Sequence, residues 1–208
     1  MAEPNWLRWT REIRGLAQNG IGYSENAFDI ERCRRIEALC DMITAAYSEV
    51  AIEKVTDLSQ AETGYATPKV DVRALCLRDG KILLVREKTD SGWTLPGGWA
   101  DLDETPAHAT EREVREESGF ESKAVRLLAL YDRTAARHEH PPHLYYIFKA
   151  YFLCELTGGE ARETLETSET AFFDIDELPP LSTGRTSAAD LKRLYALALD
   201  PSAATDFD

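Results

Sequence analysis

The segment that most narrows the fold of this chain lies between residues 97 and 120 and reads GGWADLDETPAHATEREVREESGF. Paired glycines open it, where a backbone can turn sharply and present a carbonyl or N–H to a neighbour. Thr105-Pro106 then offers a cap and a first-turn residue, and Gly119 offers a stop, so the spacing predicts a helix over 105–118. Within it Glu113, Glu116 and Glu117 stand at i, i+3 and i+4, which brings their side chains to one patch with Cβ atoms about 5–6 Å apart. Like charges on one helical face repel. The patch is therefore either a solvated acidic face with incidental partners in Arg112 and Arg115, or an oxygen-rich seat for a hard divalent ion such as Mg²⁺ or Mn²⁺.

The residues around this helix set its context. Val70, Val72, Ala74 and Cys76 alternate with other residues, and Asp79-Gly80 precedes an apolar run over 82–85, the pattern of a β-hairpin. Segments 125–131, 145–156 and 171–175 read as further strands and 187–199 as another helix, giving helices packed on a mixed sheet in an α/β arrangement. Nearer the start, Trp6, Trp9, Ile13, Leu16 and Ala17 recur at helical spacing, which predicts a helix over 5–18 stopped by Asn19-Gly20. Asp29 is placed to cap a second helix, with a stripe of Cys33, Ile36, Cys40, Ile43, Tyr47 and Val50. Such a stripe needs a cover: helix one, the main domain, or a second copy in a homodimer. Gly64 and Pro68, in a stretch poor in large apolar residues, mark a linker between a helical domain over 1–64 and a larger domain over 65–208.

Charge excludes one class of partner. With 37 acidic against 24 basic residues the formal net charge is −13, so no broad basic surface is expected to grip nucleic acid. A phosphate-bearing partner must be met locally, by Arg, Lys or metal. The four cysteines include no C-x-x-C pair and lie in apolar patterns, as core thiols of a reducing compartment do. Residues 1–14 lack the apolar block of a signal peptide, and no apolar run is long enough to cross a bilayer. The expectation is a cytoplasmic protein with no membrane partner.

Read from Gly98, the chain fits G-x5-E-x7-R-E-U-x-E-E-x-G-U, with U a bulky apolar residue, at Gly98, Glu104, Arg112, Glu113, Val114, Glu116, Glu117, Gly119 and Phe120. In this it resembles the Nudix hydrolases. Phe120 departs mildly, since aliphatics are more usual there, and touches packing only. The resemblance implies an α/β/α sandwich with a mixed sheet, and divalent-metal-dependent cleavage of a nucleoside diphosphate linked to another moiety. It implies Glu113 and Glu117 as principal metal ligands, joined by Glu116 and the Gly98 carbonyl. Arg112 is then the residue that holds these carboxylates by ion pairing, and Glu104 a supporting contact. A general base is implied on a late loop that carries Glu160, Glu163, Glu166 and Glu169; spacing before Phe172-Phe173 favours Glu166.

The likeness runs beyond the motif. WLRWTREIRGLAQNG, GYATPKVDVRA, KILLVREK, WTLPGGWAD and FFDIDELPPLS resemble the Nudix subgroup with an N-terminal helical domain, typified by CDP-choline pyrophosphatases and often labelled ADP-ribose pyrophosphatase. This implies a small-molecule substrate, CDP-choline split to CMP and phosphocholine, with ADP-ribose as the alternative. A non-catalytic nucleotide-sensing regulator is the alternative of another class. A trimethylammonium head would be held by aromatic faces, for which Trp93, Trp99, Tyr145, Trp6 and Trp9 are candidates if they are not core. His138, His140 and His143 in HEHPPH are a transition-metal trio, a solvated hairpin tip or, by family analogy, substrate contacts, with His138 and His143 the nearest candidates. Arg73 and Arg86 on early strands either reach a phosphate or pair with acidic neighbours.

Overall fold

The computed structural model describes residues 3–208. Its chain divides into two compact units. One runs to Pro68 and takes in Pro142–Tyr146; the other comprises Lys69–Pro141 and Ile147–Asp208. Residues 1 and 2 of the helical domain expected over 1–64 lie outside the described residues.

The first unit contains α1 (Asn5–Tyr23), α2 (Ala27–Ser48) and α3 (Ile52–Gln60). The expected stop at Asn19-Gly20 does not occur. A Cβ on Gly20 would come within 2.6 Å of Cys33 Sγ, so the glycine serves a close approach of α1 to α2 and the helix runs on to Tyr23. Asn26, not Asp29, caps α2, its side chain accepting from the Phe28 N–H at 2.9 Å. Trp6 stacks on Tyr47 with ring centroids 5.4 Å apart, which sets the start of α1 beside the end of α2. A buried ion pair of Arg14 with Asp41 joins the two helices, and Ser59 of α3 donates to the same carboxylate at 3.2 Å. Of the expected stripe on α2 only Cys40 is buried; Ile36, Ile43 and Tyr47 are exposed, and Val50 lies past the helix end.

The second unit contains β1 (Lys69–Arg78), β2 (Lys81–Glu87), β3 (Trp93–Thr94), β4 (Gly97–Trp99), α4 (Pro106–Ser118), β5 (Phe120–Asp132), β6 (Ile147–Gly159), β7 (Thr167–Phe173), α5 (Ala188–Leu199) and β8 (Asp206–Phe207). The expected hairpin joins β1 to β2, with Asp79 and Gly80 both in the left-handed region at φ 52° and 76°. Strand order is β3-β2-β1-β6-β5-β8, with β4 also on β1 and β7 also on β2. β1 runs parallel to β6 from Lys69↔Ile147 to Cys76↔Cys154, while β1·β2 and β5·β6 are antiparallel, so the sheet is mixed.

Alternation along β1 shows the layers. Ala74 and Cys76 pack with Val114 of α4, and Leu75 packs with Leu191 and Leu194 of α5. The sheet is therefore covered on both faces, an α/β/α sandwich. Both covering helices start where expected: Thr105 accepts from the His108 N–H at 3.2 Å and Ser187 from the Asp190 N–H at 3.1 Å. Among the described residues no helix is long and apolar enough to cross a membrane. The four cysteines are free thiols.

Candidate active site

The acidic helix meets the glycine loop side on. Ala109, Thr110, Val114 and Ser118 bury one face of α4, which leaves Glu113 and Glu117 at the edge of that face, also buried, and Glu116 outside it. Gly97 donates its N–H to Glu117 Oε2 at 2.9 Å. Only glycine suits that position: φ is 146°, and a Cβ would lie 2.0 Å from the Val72 carbonyl oxygen on β1. Gly98 is crowded from the other side, since its Cβ would lie 3.0 Å from Glu113 Oε1. The loop backbone and two helix carboxylates thus form one wall.

Arg112 organises the outer carboxylates. Its guanidinium donates to both oxygens of Glu104, at 2.7 and 3.2 Å, and through Nη1 to Glu113 at 2.9 Å and Glu116 at 3.0 Å. Burial outweighs these arginines for the inner pair. It raises the Glu113 carboxyl above its ordinary value despite Arg112, and pushes Glu117 up to about 8 despite Arg73. Two buried acids that resist ionisation, a third at the rim and the Gly98 carbonyl form a hard-oxygen set that fits a divalent cation. Among the described residues no three His, Cys, Asp or Glu side chains are gathered into a ready-made cage. Arg112 Nη1 sits between Glu113 and Glu116 and donates to both.

A cleft of about 410 Å³ opens along these glutamates, and its other wall is residues 162–166. That wall is anchored from several directions: Arg162 N–H donates to the Ser118 carbonyl at 3.2 Å, Thr167 Oγ1 to the Glu117 carbonyl at 2.5 Å, and Lys88 Nζ to the Thr164 carbonyl at 2.6 Å. Glu166 lines the same cleft as Glu113, Glu116 and Glu117. Its neighbours are engaged elsewhere, Glu163 with Lys88 at 2.8 Å and Glu169 with Arg86 at 2.5 Å.

Other expected contacts are placed differently. Trp99 ends β4 one residue after Gly98 and is 46% exposed, with the Lys69 ammonium over its ring at 6.0 Å from the centroid. Arg86 is occupied by Glu169 and by the Ser91 carbonyl at 3.1 Å. His138 is 2% exposed and is not open to a substrate: Nδ1 meets Asp190 Oδ1 at 2.6 Å, Nε2 meets Asp208 Oδ2 at 3.0 Å, and the ring packs on Tyr131. His140 meets the Thr183 carbonyl at 3.0 Å. His143 belongs to the helical unit, its carbonyl accepting from Arg11 Nη1 at 3.0 Å. The three histidines do not form one centre. Of the aromatic candidates, Trp93 is core, Trp6 stacks on Tyr47, and Tyr145 donates to the Leu58 carbonyl within the helical unit.

Sequence reasoning passed over Asp71 and Lys149. They are buried with Arg73 on adjoining parallel strands, next to the wall just described. Charged residues spaced by two in a strand that is covered on both faces are the signal for such a group, but that α4 covers one face of β1 and α5 the other becomes evident only from the fold.

A sequence profile of the NUDIX domain matches residues 67–195, and one of the UDP-X-like, N-terminal oligomerisation domain matches residues 4–59. Over 206 residues the chain is 41% identical to YjhB of Bacillus subtilis, provisionally named an ADP-ribose pyrophosphatase, covering 99% of this chain and 98% of that protein. It is 32% identical over 142 residues to an ADP-ribose pyrophosphatase of Methanocaldococcus jannaschii, covering 65% of this chain and 78% of the other. Among solved structures, a UDP-X diphosphatase aligns over the full length of both chains with a TM-score of 0.64 and 29% identity. An ADP-ribose pyrophosphatase of Streptococcus suis aligns over 68% of this chain and all of its own, with a TM-score of 0.61 and 37% identity.

Proposed function

Since the chain belongs to the Nudix family of hydrolases and is a pyrophosphohydrolase of that family, we propose that it cleaves the pyrophosphate bond of a nucleoside diphosphate conjugate at the cleft along α4, with ADP-ribose the first substrate to test. The observation that carries this reading is the wall formed by Gly97, Gly98, Glu113 and Glu117. Glu113, Glu116, Glu117 and the Gly98 carbonyl would hold a divalent ion, Mg²⁺ or Mn²⁺. When bound, such an ion neutralises pyrophosphate charge and makes a water more acidic. Arg112 keeps the acids oriented. Glu166, across the cleft, takes a proton on a carboxylate oxygen from the water that adds to phosphorus, while the anhydride P–O bond breaks.

ADP-ribose comes ahead of CDP-choline for two reasons. The names carried by the relatives favour it, and an aromatic cage for trimethylammonium finds little support in this unit, where Trp93 is core and the ring of Trp99 already carries the Lys69 ammonium. Hydrolysis is tested by incubating the protein with Mg²⁺ or Mn²⁺ and ADP-ribose, CDP-choline or a UDP-sugar, and separating products. Release of AMP and ribose 5-phosphate supports the reading; the absence of cleavage of any conjugate under either ion sinks it. We further propose that the helical unit, set apart from the catalytic unit at Pro68, joins two copies of the chain, and that the free thiols reflect a cytoplasmic location.

A further inference from the structure

A buried trio of charges lies behind the glutamate wall. Asp71 and Arg73 on β1 are each 5% exposed, and Lys149, the register partner of Asp71 on β6, is 1% exposed. Arg73 Nε donates to the two Asp71 oxygens at 3.0 and 3.3 Å, and Lys149 pairs with the same carboxylate. An apolar trio of similar size would fill this space with no charge to desolvate, so fold stability alone gives little reason for it.

The contacts of Arg73 supply a reason. Its Nη1 donates to the Leu95 carbonyl at 3.1 Å, and the next residue, Ala74, donates its N–H to the Pro96 carbonyl at 2.9 Å. A Cβ on Gly97 would lie 2.8 Å from Arg73 Cα and 2.9 Å from Arg73 Cδ, so arginine backbone and stem press on the glycine that donates to Glu117. A continuous set of contacts therefore runs from Lys149 through Asp71, Arg73 and the turn at 95–97 to Glu117. Lys149 and Asp71 fix the guanidinium, and the guanidinium fixes the turn.

We propose that Arg73, clamped by Asp71 and Lys149, is a positioning residue that holds the turn at 95–97, and with it the Gly97 N–H and the Gly98 carbonyl, in register with Glu117 and Glu113. The proposal rests on the reading of those acids as the metal seat. Arg73→Lys keeps the charge but loses the planar fork through which Nε meets Asp71 and Nη1 meets the Leu95 carbonyl. The triple variant Asp71→Leu/Arg73→Met/Lys149→Met removes the trio as a whole, so none of its three members is left buried without its partners, while Glu117 loses the attraction of the Arg73 charge that Arg73→Lys retains.

The test measures Mn²⁺ binding by calorimetry without substrate, then kcat and KM for ADP-ribose, then thermal unfolding, on the wild-type protein and both variants. The expected result is a loss of roughly 10- to 100-fold in Mn²⁺ affinity and in kcat, the usual scale for groups that orient ligands, with KM moving far less. Arg73→Lys with wild-type Mn²⁺ affinity and kcat overturns the proposal, as does a folded triple variant with both unchanged. If the triple variant does not fold, Arg73→Lys decides alone. Failure of the wild-type protein to bind Mn²⁺ would instead refute the metal seat itself, and that result is read before either variant.

Discussion

Gly97 donates its N–H to Glu117 Oε2 at 2.9 Å, so a glycine of the loop and an acid of the helix act as one piece. The two adjacent glycines should then fail in different ways when substituted. Gly97→Ala forces a side chain into a left-handed φ and against the Val72 carbonyl oxygen, and should lower stability by on the order of 3 kcal/mol or more. Gly98 lies outside that φ region, and its new Cβ meets the end of the Glu113 side chain, which can shift. Gly98→Ala should therefore keep the melting temperature within a few degrees and lose hydrolysis. Thermal unfolding and product release on both variants check this; equal melting temperatures for the two would contradict it.

Arg112 offers a cleaner separation of charge from geometry. Its side chain spans Glu104, Glu113 and Glu116, and a lysine at that place retains the positive charge while losing the fork. We expect Arg112→Lys to cut kcat by roughly 10- to 100-fold, with a smaller loss of stability because the retained ammonium still pairs with the acids around it. Wild-type kcat in this variant would mean that charge alone suffices.

The buried histidine predicts how stability varies with pH. Burial would lower the His138 pKa, but the carboxylates of Asp190 and Asp208 outweigh it, and the value is raised above 6.5. A group with a raised folded pKa stabilises fully below its unfolded value and loses that contribution as pH climbs through the folded one. The melting temperature should therefore fall as pH rises above 6.5, and His138→Gln should make that slope shallower, with Glu117 keeping its own share of it, while costing about 2 kcal/mol near pH 6. A variant whose melting temperature parallels wild type from pH 5 to 9 would remove His138 as the cause.

What could be read from the chain, and what could not, follows from the range of the interactions. The helix over 105–118, its caps at Thr105 and Gly119, and the Asp79-Gly80 turn depend on neighbours within a few residues, and each is found where spacing put it. Gly20 shows the opposite case. As a local signal it reads as a stop, yet Cys33 packs against it and the helix continues. Glu117 reads as an exposed helix acid, and only the loop at 97–98 closing over it makes it buried. HEHPPH leaves a metal trio, a solvated tip and substrate contacts open, but Asp190 and Asp208, more than fifty residues later, hold His138 inside. Short strands such as β3, β4 and β8 carry too few residues for any periodicity to show.

Assembly gives the last expectation. On α2, Ile36, Leu39 and Ile43 follow one another at helical spacing and are 36, 42 and 38% exposed in the single chain. Exposed positions usually tolerate polar substitution within about 0.5 kcal/mol, so Leu39→Glu/Ile43→Glu should leave the fold of a lone chain intact. A second copy laid on this stripe changes the outcome, because two carboxylates would then be buried at a contact with no partner for them. Light scattering after size exclusion should report a dimer mass for the wild-type protein and a monomer mass for the variant, with circular dichroism unchanged. An unaltered dimer would move the contact to another face of the helical unit, whereas a monomeric wild-type protein would end the homodimer proposal and leave these side chains as ordinary surface.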